Sequence, residues 1–260
     1  MKTETIAQSV QGRLRFDILF GRLVPDDRLR LERLCDTYEV GMSPMREALA
    51  QLVGTGLVVQ EGQRSFRVAS VSRDELVDIT ATRVRLETMA LRDAIEKGND
   101  DWEAGILAAH HRLARCPRTA DRLVDETWEL LHRNFHLALI EACGSSCMLV
   151  FCHNLYDQFD RYRRLAVRAS GRHPRISAVH GDIVTAVLAR NATRASSLLE
   201  GHIKDAAAEV MRMSAARFKT ANASAQDADG TSLAKSPARK VPTSRRDGRP
   251  RQAKRKGRKR

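Results

Sequence analysis

Along the first seventy residues the apolar positions recur at two spacings. Val10, Leu14, Ile18 and Leu19 share one face of a helix over 8–20, and Leu31 and Leu34, with charges between them, face one way on a shorter helix over 29–38. A tight turn at Glu39 to Met42 leads into a third stripe, Ala48, Leu49 and Leu52. Ser43 is a favoured N-cap and Pro44 suits a first helical position, because its fixed φ is already helical and its missing N–H would be unpaired anyway. The third helix is therefore predicted to start at Ser43-Pro44. After Gly54-Thr55-Gly56 the runs Leu57 to Gln60 and Phe66 to Ala69 flank the polar stretch Glu61 to Ser65, which predicts two short strands around a tip. Two helices across a tight turn followed by such a hairpin make a winged helix-turn-helix over 8–70; an ordinary helix pair beside a structural hairpin is the plainer alternative.

From Ser72 onward the period stays helical. Ser72 with Glu75 three residues later forms a capping-box signature, and helices are predicted over 73–97, 102–115, 121–143, 146–168, 174–190 and 192–217. Gly98-Asn99, Cys116-Pro117, Gly144-Ser145 and Gly171 to Pro174 punctuate them. Six helices with short connections predict an all-α antiparallel bundle over 72–218.

Charge changes the picture only at the end of the chain. The formal net charge is +13, yet residues 235–260 hold thirteen Lys and Arg against the single acid Asp247, a net of +12, so the first 234 residues carry +1. This stretch, with the Ala/Ser/Asp/Gly-rich residues 219–234 before it, is predicted to be a disordered linker and basic tail, because it has too little apolar surface to offset ordering entropy. A tail of this kind binds phosphates without reading bases; a merely solubilising tail is its alternative. No run of 18 apolar residues and no apolar leader at Met1-Lys2-Thr3-Glu4 is present, which predicts a cytoplasmic protein without a membrane partner. The five cysteines are odd in number and form no CxxC pair, which predicts buried free thiols; Cys143 and Cys147, one helical turn apart by spacing, are the candidates for oxidation.

Histidines carry the candidate chemistry of the helical half. His132 and His136 are four apart on one predicted helix, so both imidazoles leave the same face and can share an ion. His180 and His202 lie on two later helices. A pair on one helix plus single ligands from others is how a bundle interior builds a metal site, against the alternative of satisfied core histidines. His110, His111, His153 and His173 show no such arrangement and are read as surface or packing residues.

These motifs resemble those of the GntR regulators with a FadR-type carboxyl-terminal ligand (FCD) domain. Gly21-Arg22-Leu23-Val24-Pro25, Ser43-Pro44-Met45-Arg46-Glu47-Ala48-Leu49 and Gly56-Leu57-Val58 are similar to the family's DNA-binding half; His132-Arg133-Asn134-Phe135-His136 through Gly144 resembles the FCD motif DxxFHxxLxxAxGN. Two departures stand in the first half: Gly41-Met42 replaces the usual Ser-Arg, and Ser65 replaces a wing-tip glycine. The Gly-Met-Ser-Pro variant resembles regulators of the carbon-starvation-induced (CsiR) type. The resemblance implies a homodimer on a two-fold, double-stranded DNA operator, with Arg46 reading bases, Arg30 and Arg64 on phosphate or groove, and Ser43 beside Pro44 holding a phosphate at the helix N-terminus. In the second half it implies that the metal ligands are His132, His136, His180 and His202, with His132 standing where the family has Asp. An all-nitrogen, uncharged set favours zinc or nickel over manganese or magnesium as the divalent metal. It further implies a small organic acid effector beside that metal, a five-carbon dicarboxylate such as glutarate on the CsiR likeness, reached by Arg83. A surface ion pair with Glu87 is the alternative role for Arg83. Arg161 and Arg163 are weaker effector candidates, since the run Asp160-Arg161-Tyr162-Arg163-Arg164 is too charged for every member to face inward.

The sequence thus predicts a mainly α, DNA-binding transcriptional repressor. Two other functions compete. A histidine-bound metal could hydrolyse a substrate, but a fourth histidine fills the position catalytic sites leave to water, and no HExxH, GxSxG or phosphate-binding loop occurs. A non-specific DNA-coating protein would need only the tail, and leaves the winged domain without a role.

Overall fold

The computed structural model describes residues 4–62, 65–116, 126–170 and 179–229, with the backbone alone at 167–170 and 215–229. Among the described residues lie α1 (Ile6–Leu19), β1 (Arg28–Leu29), α2 (Leu31–Tyr38), α3 (Met42–Gly54), β2 (Val58–Glu61), β3 (Ser65–Val68), α4 (Arg73–Lys97), α5 (Asp100–Arg115), α6 (Glu126–Ile140), a 3-10 turn (Glu141–Cys143), α7 (Ser146–Ser170), α8 (Val179–Leu188) and α9 (Ala192–Asp229).

The first half is a winged helix-turn-helix. Val10, Leu14 and Ile18 of α1 meet Met45, Leu49 and Leu52 of α3 and Phe66 and Val68 of β3 in one core. Several of these side chains are fully buried, each worth roughly 1.5–3 kcal/mol. The turn between α2 and α3 passes through Glu39 at φ 57°, whose N–H bonds the Cys35 carbonyl. The wing strands pair antiparallel, Val58 opposite Val68 and Glu61 opposite Ser65, and the short β1 adds to the far edge of β3 with Leu29 opposite Phe66.

α3 begins two residues earlier than the Ser-Pro signal suggests. Gly41 is its N-cap and makes no side-chain capping bond, so Ser43 and Pro44 are the second and third helical residues. Pro44 still causes no loss there, because none of a helix's first N–H groups has an intrahelical partner. The first such bond in α3 is donated by Met45 to the Gly41 carbonyl at 3.3 Å.

The second half is a helical bundle. α4 packs on α7 and α9, α5 on α6 and α8, and α8 on α9. Leu91, Ile106, Phe135, Leu139, Ile183 and Ile203 belong to the main core. The helix edges at Lys97, Asn99 and Arg115 follow the sequence punctuation closely; Asn99 caps α5 by accepting from the Trp102 N–H at 3.0 Å. At Ser72 only half of the capping box forms. The Ser72 hydroxyl accepts from Glu75 N at 3.0 Å, but the Ser72 N–H goes to the Tyr162 hydroxyl, which in turn bonds the Glu75 carboxylate. The last helix also departs from expectation. It continues through residues 219–229, where a linker was predicted, since Ala221, Ala223, Ala225 and Ala228 favour helix and no Gly or Pro interrupts them. Residues 230–260, which carry the basic tail, lie outside the described residues, as does the start of the helix predicted from 121.

The two halves meet through named contacts. Arg15 of α1 forms a two-pronged pair with Asp157 of α7 at 2.5 Å on each arm. Gln158 donates to the Thr55 carbonyl at 3.0 Å, and a Cβ at Gly56, which has φ +75°, would come within 2.9 Å of the same Gln158 amide. Glycine here serves both the left-handed turn that ends α3 and the close approach of α7.

Candidate functional site

On the winged half, exposed Arg46 projects from α3 as its fifth residue, and exposed Arg30 stands at the N-cap of α2. Both line one groove with Arg28, Glu32, Glu61 and Ser65. Glu61 is tied to Arg67 by bonds of 2.7 and 3.0 Å, and Arg67 holds its carboxyl below the usual carboxylate range. Arg28 is an addition to the predicted set. Its signal was the alternation Arg28-Leu29-Arg30, in which a strand buries Leu29 and turns both arginines outward. Arg64 lies outside the described residues. Ser43 is exposed on the first turn of α3, where it can meet a phosphate without acting as the cap.

In the bundle the four predicted histidines converge. α6 supplies His132 and His136, α8 supplies His180 and α9 His202, and one ring nitrogen from each lies within 4.8 Å of all the others. The Nε2 atoms form a chain with three successive separations of 3.2 Å, from His132 to His136, His136 to His202 and His202 to His180. Ligands on a tetrahedral zinc at about 2.0–2.1 Å would stand about 3.3 Å apart, so the spacing fits an ion between them. Burial, followed by the neighbouring imidazoles, drives the pKa of His132 and His136 well below the ordinary histidine value, and lowers that of His202 to about 3. Neutral rings keep the lone pairs that a metal needs. Four Nε2 atoms converging on one point suit a cation far better than they suit each other. Trp128 stacks on His132 with ring centroids 4.7 Å apart, and Phe135 packs against His180 at 5.0 Å. The Nδ1 of His136 is buried without a hydrogen-bond partner.

Arg83 is buried, not at the surface, and it does pair with Glu87, by bonds of 2.6 and 3.4 Å from Nε and Nη2. Tyr156 donates to the same carboxylate at 2.7 Å, and its ring lies 5.9 Å from that of His136. Burial opposes the charge of Arg83, yet Glu87 keeps its pKa above the ordinary arginine value. Its field is also among the causes that depress His136 and His202, which places it within electrostatic reach of the cluster.

Arg161 lies apart from the histidines. It sits between the halves, donating to the Ala69 carbonyl at 3.0 Å and to Glu75 at 3.3 Å, and takes no part in the histidine cluster. The expectation that the 160–164 run could not all face inward also fails: Asp160, Arg161, Tyr162, Arg163 and Arg164 are all buried. They can be, because acids meet their guanidinium groups, Glu129 and Asp160 pairing with Arg163 and Glu75 with Arg161. The cysteines also depart from expectation. Cys143 and Cys152 are buried but Cys147 is exposed, and Cys143 ends the 3-10 turn while Cys147 lies on α7 beyond Gly144, so the pair does not share a helical turn.

A winged helix-turn-helix joined to a helical bundle is the architecture of a transcriptional regulator. Residues 6–68 match the bacterial regulatory proteins of the gntR family, and residues 78–205 match the FCD domain. The chain is 38% identical over 200 residues to the HTH-type transcriptional repressor GlaR of Escherichia coli (strain K12), covering 73% of this chain and 89% of that protein. It is 38% identical over 204 residues to the HTH-type transcriptional regulator BphR of Paraburkholderia xenovorans (strain LB400), covering 77% and 83%. Among solved structures, E. coli McbR/YncC superposes with a TM-score of 0.61 at 18% identity, over 85% of this chain and all of that one. A GntR regulator from Rhodococcus sp. RHA1 gives 0.62 at 21% identity, over 79% and 97%. The chain belongs to the GntR family, in its branch with an FCD domain, and is a DNA-binding transcriptional regulator, not an enzyme. Members of the family bind DNA operators, and FCD domains bind small-molecule effectors. Among the described residues no helix is long and apolar enough to cross a membrane.

Proposed function

We propose that this regulator is a homodimeric repressor whose DNA affinity is set by a small carboxylate, a dicarboxylate on the CsiR likeness, bound beside a zinc or nickel ion. The observation that carries the reading is the convergence of four imidazole nitrogens in the bundle. His132, His136, His180 and His202 would hold the ion, which when bound supplies a positive point that attracts an anion. The repressor sense follows the name of GlaR.

Arg46 would read base edges in the major groove, with Arg30 and Arg28 on flanking phosphates, Arg64 at the wing and Ser43 beside Pro44 near a phosphate at the start of α3. The tail would add phosphate contacts that do not depend on base sequence. Near the cluster Arg83, held by Glu87 through Nε and Nη2, would be the guanidinium that meets a ligand carboxylate. A shift of α6 on ligand binding has a short path to the DNA-binding half. Arg133, next to His132, donates to Asp157 at 2.5 Å, and the same carboxylate holds Arg15 of α1. An effector acts only through a difference in affinity between two domain arrangements, so the dimer must have two.

Selection from a random DNA library, followed by titration of the selected duplex, tests this. Arg46→Ala should abolish the preference for the selected sequence over unrelated DNA. With zinc present, a few small dicarboxylates should weaken binding of the wild-type chain and have no effect on His136→Ala. An effector response that survives His136→Ala would sink the proposal.

A further inference from the structure

A cleft of about 500 Å³ separates the two halves, with Phe16 and Leu19 of α1 and its C-cap Phe20 on one side and Leu130, Asn134 and Leu137 of α6 on the other. It is remote in chemistry from the histidines, since its polar wall is a guanidinium network. Among the described residues four arginines, Arg15, Arg133, Arg163 and Arg164, face three acids, Glu129, Asp157 and Asp160, which leaves one positive charge over. His153, also on the cleft, adds no charge near neutral pH, because burial and then Arg133 lower its pKa.

The excess falls on Arg164. Arg15, Arg133 and Arg163 have partners at 2.5–3.0 Å, whereas the nearest acids to Arg164 are Glu129 at 3.8 Å and Asp160 at 3.9 Å. Arg164 is only 2% exposed and lines the cleft; its Nε and Nη1 are buried without hydrogen-bond partners, and one face rests on the Phe20 ring at 3.6 Å. A buried guanidinium with unmet donors is costly unless an anion meets it. The rest of the wall is apolar along Phe16, Leu19, Phe20, Leu130 and Leu137 and polar elsewhere, and the volume lies within the range of small-molecule pockets.

We infer that this interdomain cleft is a second ligand site, for a small organic monocarboxylate that accepts from an unpartnered Arg164 N–H and lays an apolar body against Phe16, Leu19 and Phe20. One negative charge balances the network, and a dianion would overshoot it, so this site selects a different class of acid from the histidine site. Because its walls belong to both halves, its occupant is linked to how the winged domain is held and therefore to DNA affinity.

Benzoate and hexanoate titrated calorimetrically into the zinc-loaded full chain test the inference. One equivalent of the acid should bind, succinate should not displace it, and His136→Ala should leave its affinity within twofold. Arg164→Met should weaken it at least tenfold. Asn134→Trp, a change at an exposed position on the rim of the cleft, should do the same by blocking it, and decides the matter if Arg164→Met does not fold. Binding lost in His136→Ala but kept in Asn134→Trp would place the acid at the histidines and overturn the second site, as would no uptake of either acid at millimolar concentration.

Discussion

Helix α6 carries two polar clusters built on the same spacing. His132 and His136 point to one and Glu129 and Arg133 to the other, each pair four residues apart. On the first face like groups meet, and burial keeps them neutral. On the second, opposite charges meet, and Asp160 stays ionised below its ordinary range, because Arg163, Arg164 and Arg133 outweigh the burial that would neutralise it. A buried cluster of one kind of base without charge suits binding a cation. A buried cluster of matched ions suits holding two domains in register, and its fit is loosest at Arg164, two of whose nitrogens lack hydrogen-bond partners, against one atom each on Asp160 and Arg163.

Removing one partner from each cluster should expose this difference. The largest effect should come from Glu129→Ala, which strips Arg163 of its closest acid and leaves buried charge uncompensated. A loss of about 3–5 kcal/mol in denaturant unfolding is expected, and one below 1 kcal/mol would show that the network is solvated. At the histidine cluster, zinc at a hundredfold its dissociation constant should add about 2.7 kcal/mol to the wild-type chain and nothing to His136→Ala, read as melting temperature.

Acid should then separate the two clusters by sign. The folded histidines hold pKa values below the unfolded value of about 6.5, so above that pH they contribute nothing. Below it the unfolded chain takes up protons that the folded chain refuses, and metal-free protein should lose about 1.4 kcal/mol per pH unit per histidine. The fall continues until each folded pKa is reached, about 3 for His202. His136→Ala should have a shallower slope between pH 6.5 and 5, and an equal slope would assign the acid sensitivity elsewhere. The mildest change should be Arg15→Ala. Its side chain is about one-third exposed and Asp157 keeps Arg133, so about 1 kcal/mol is expected from the melting curve.

The comparison also explains what could be read from sequence. His132 and His136 stood out because histidine is rare and its commonest reason for repeating on one face is a shared ligand. Glu129 and Arg133 did not, because an acid and a base four apart usually mark a solvated face. The 160–164 run misled for the same reason: its burial depends on acids distant in the chain, Glu129 for Arg163 and Glu75 for Arg161, and on Asp160 of its own helix. Helix edges such as Arg73 and Lys97 were legible because local caps set them. β1, two residues long, exists only through its pairing with β3, and the shift of the α3 cap from Ser43 to Gly41 reflects the turn before it.

The central claim is that the four histidines share one metal ion. Its most direct test is a zinc titration of the metal-free full chain, followed by measuring bound zinc per chain after gel filtration. The account predicts one tightly held equivalent in the wild type, and at least a hundredfold weaker binding in both His136→Ala and His202→Ala. No retained zinc, or retention unchanged by both substitutions, would contradict it.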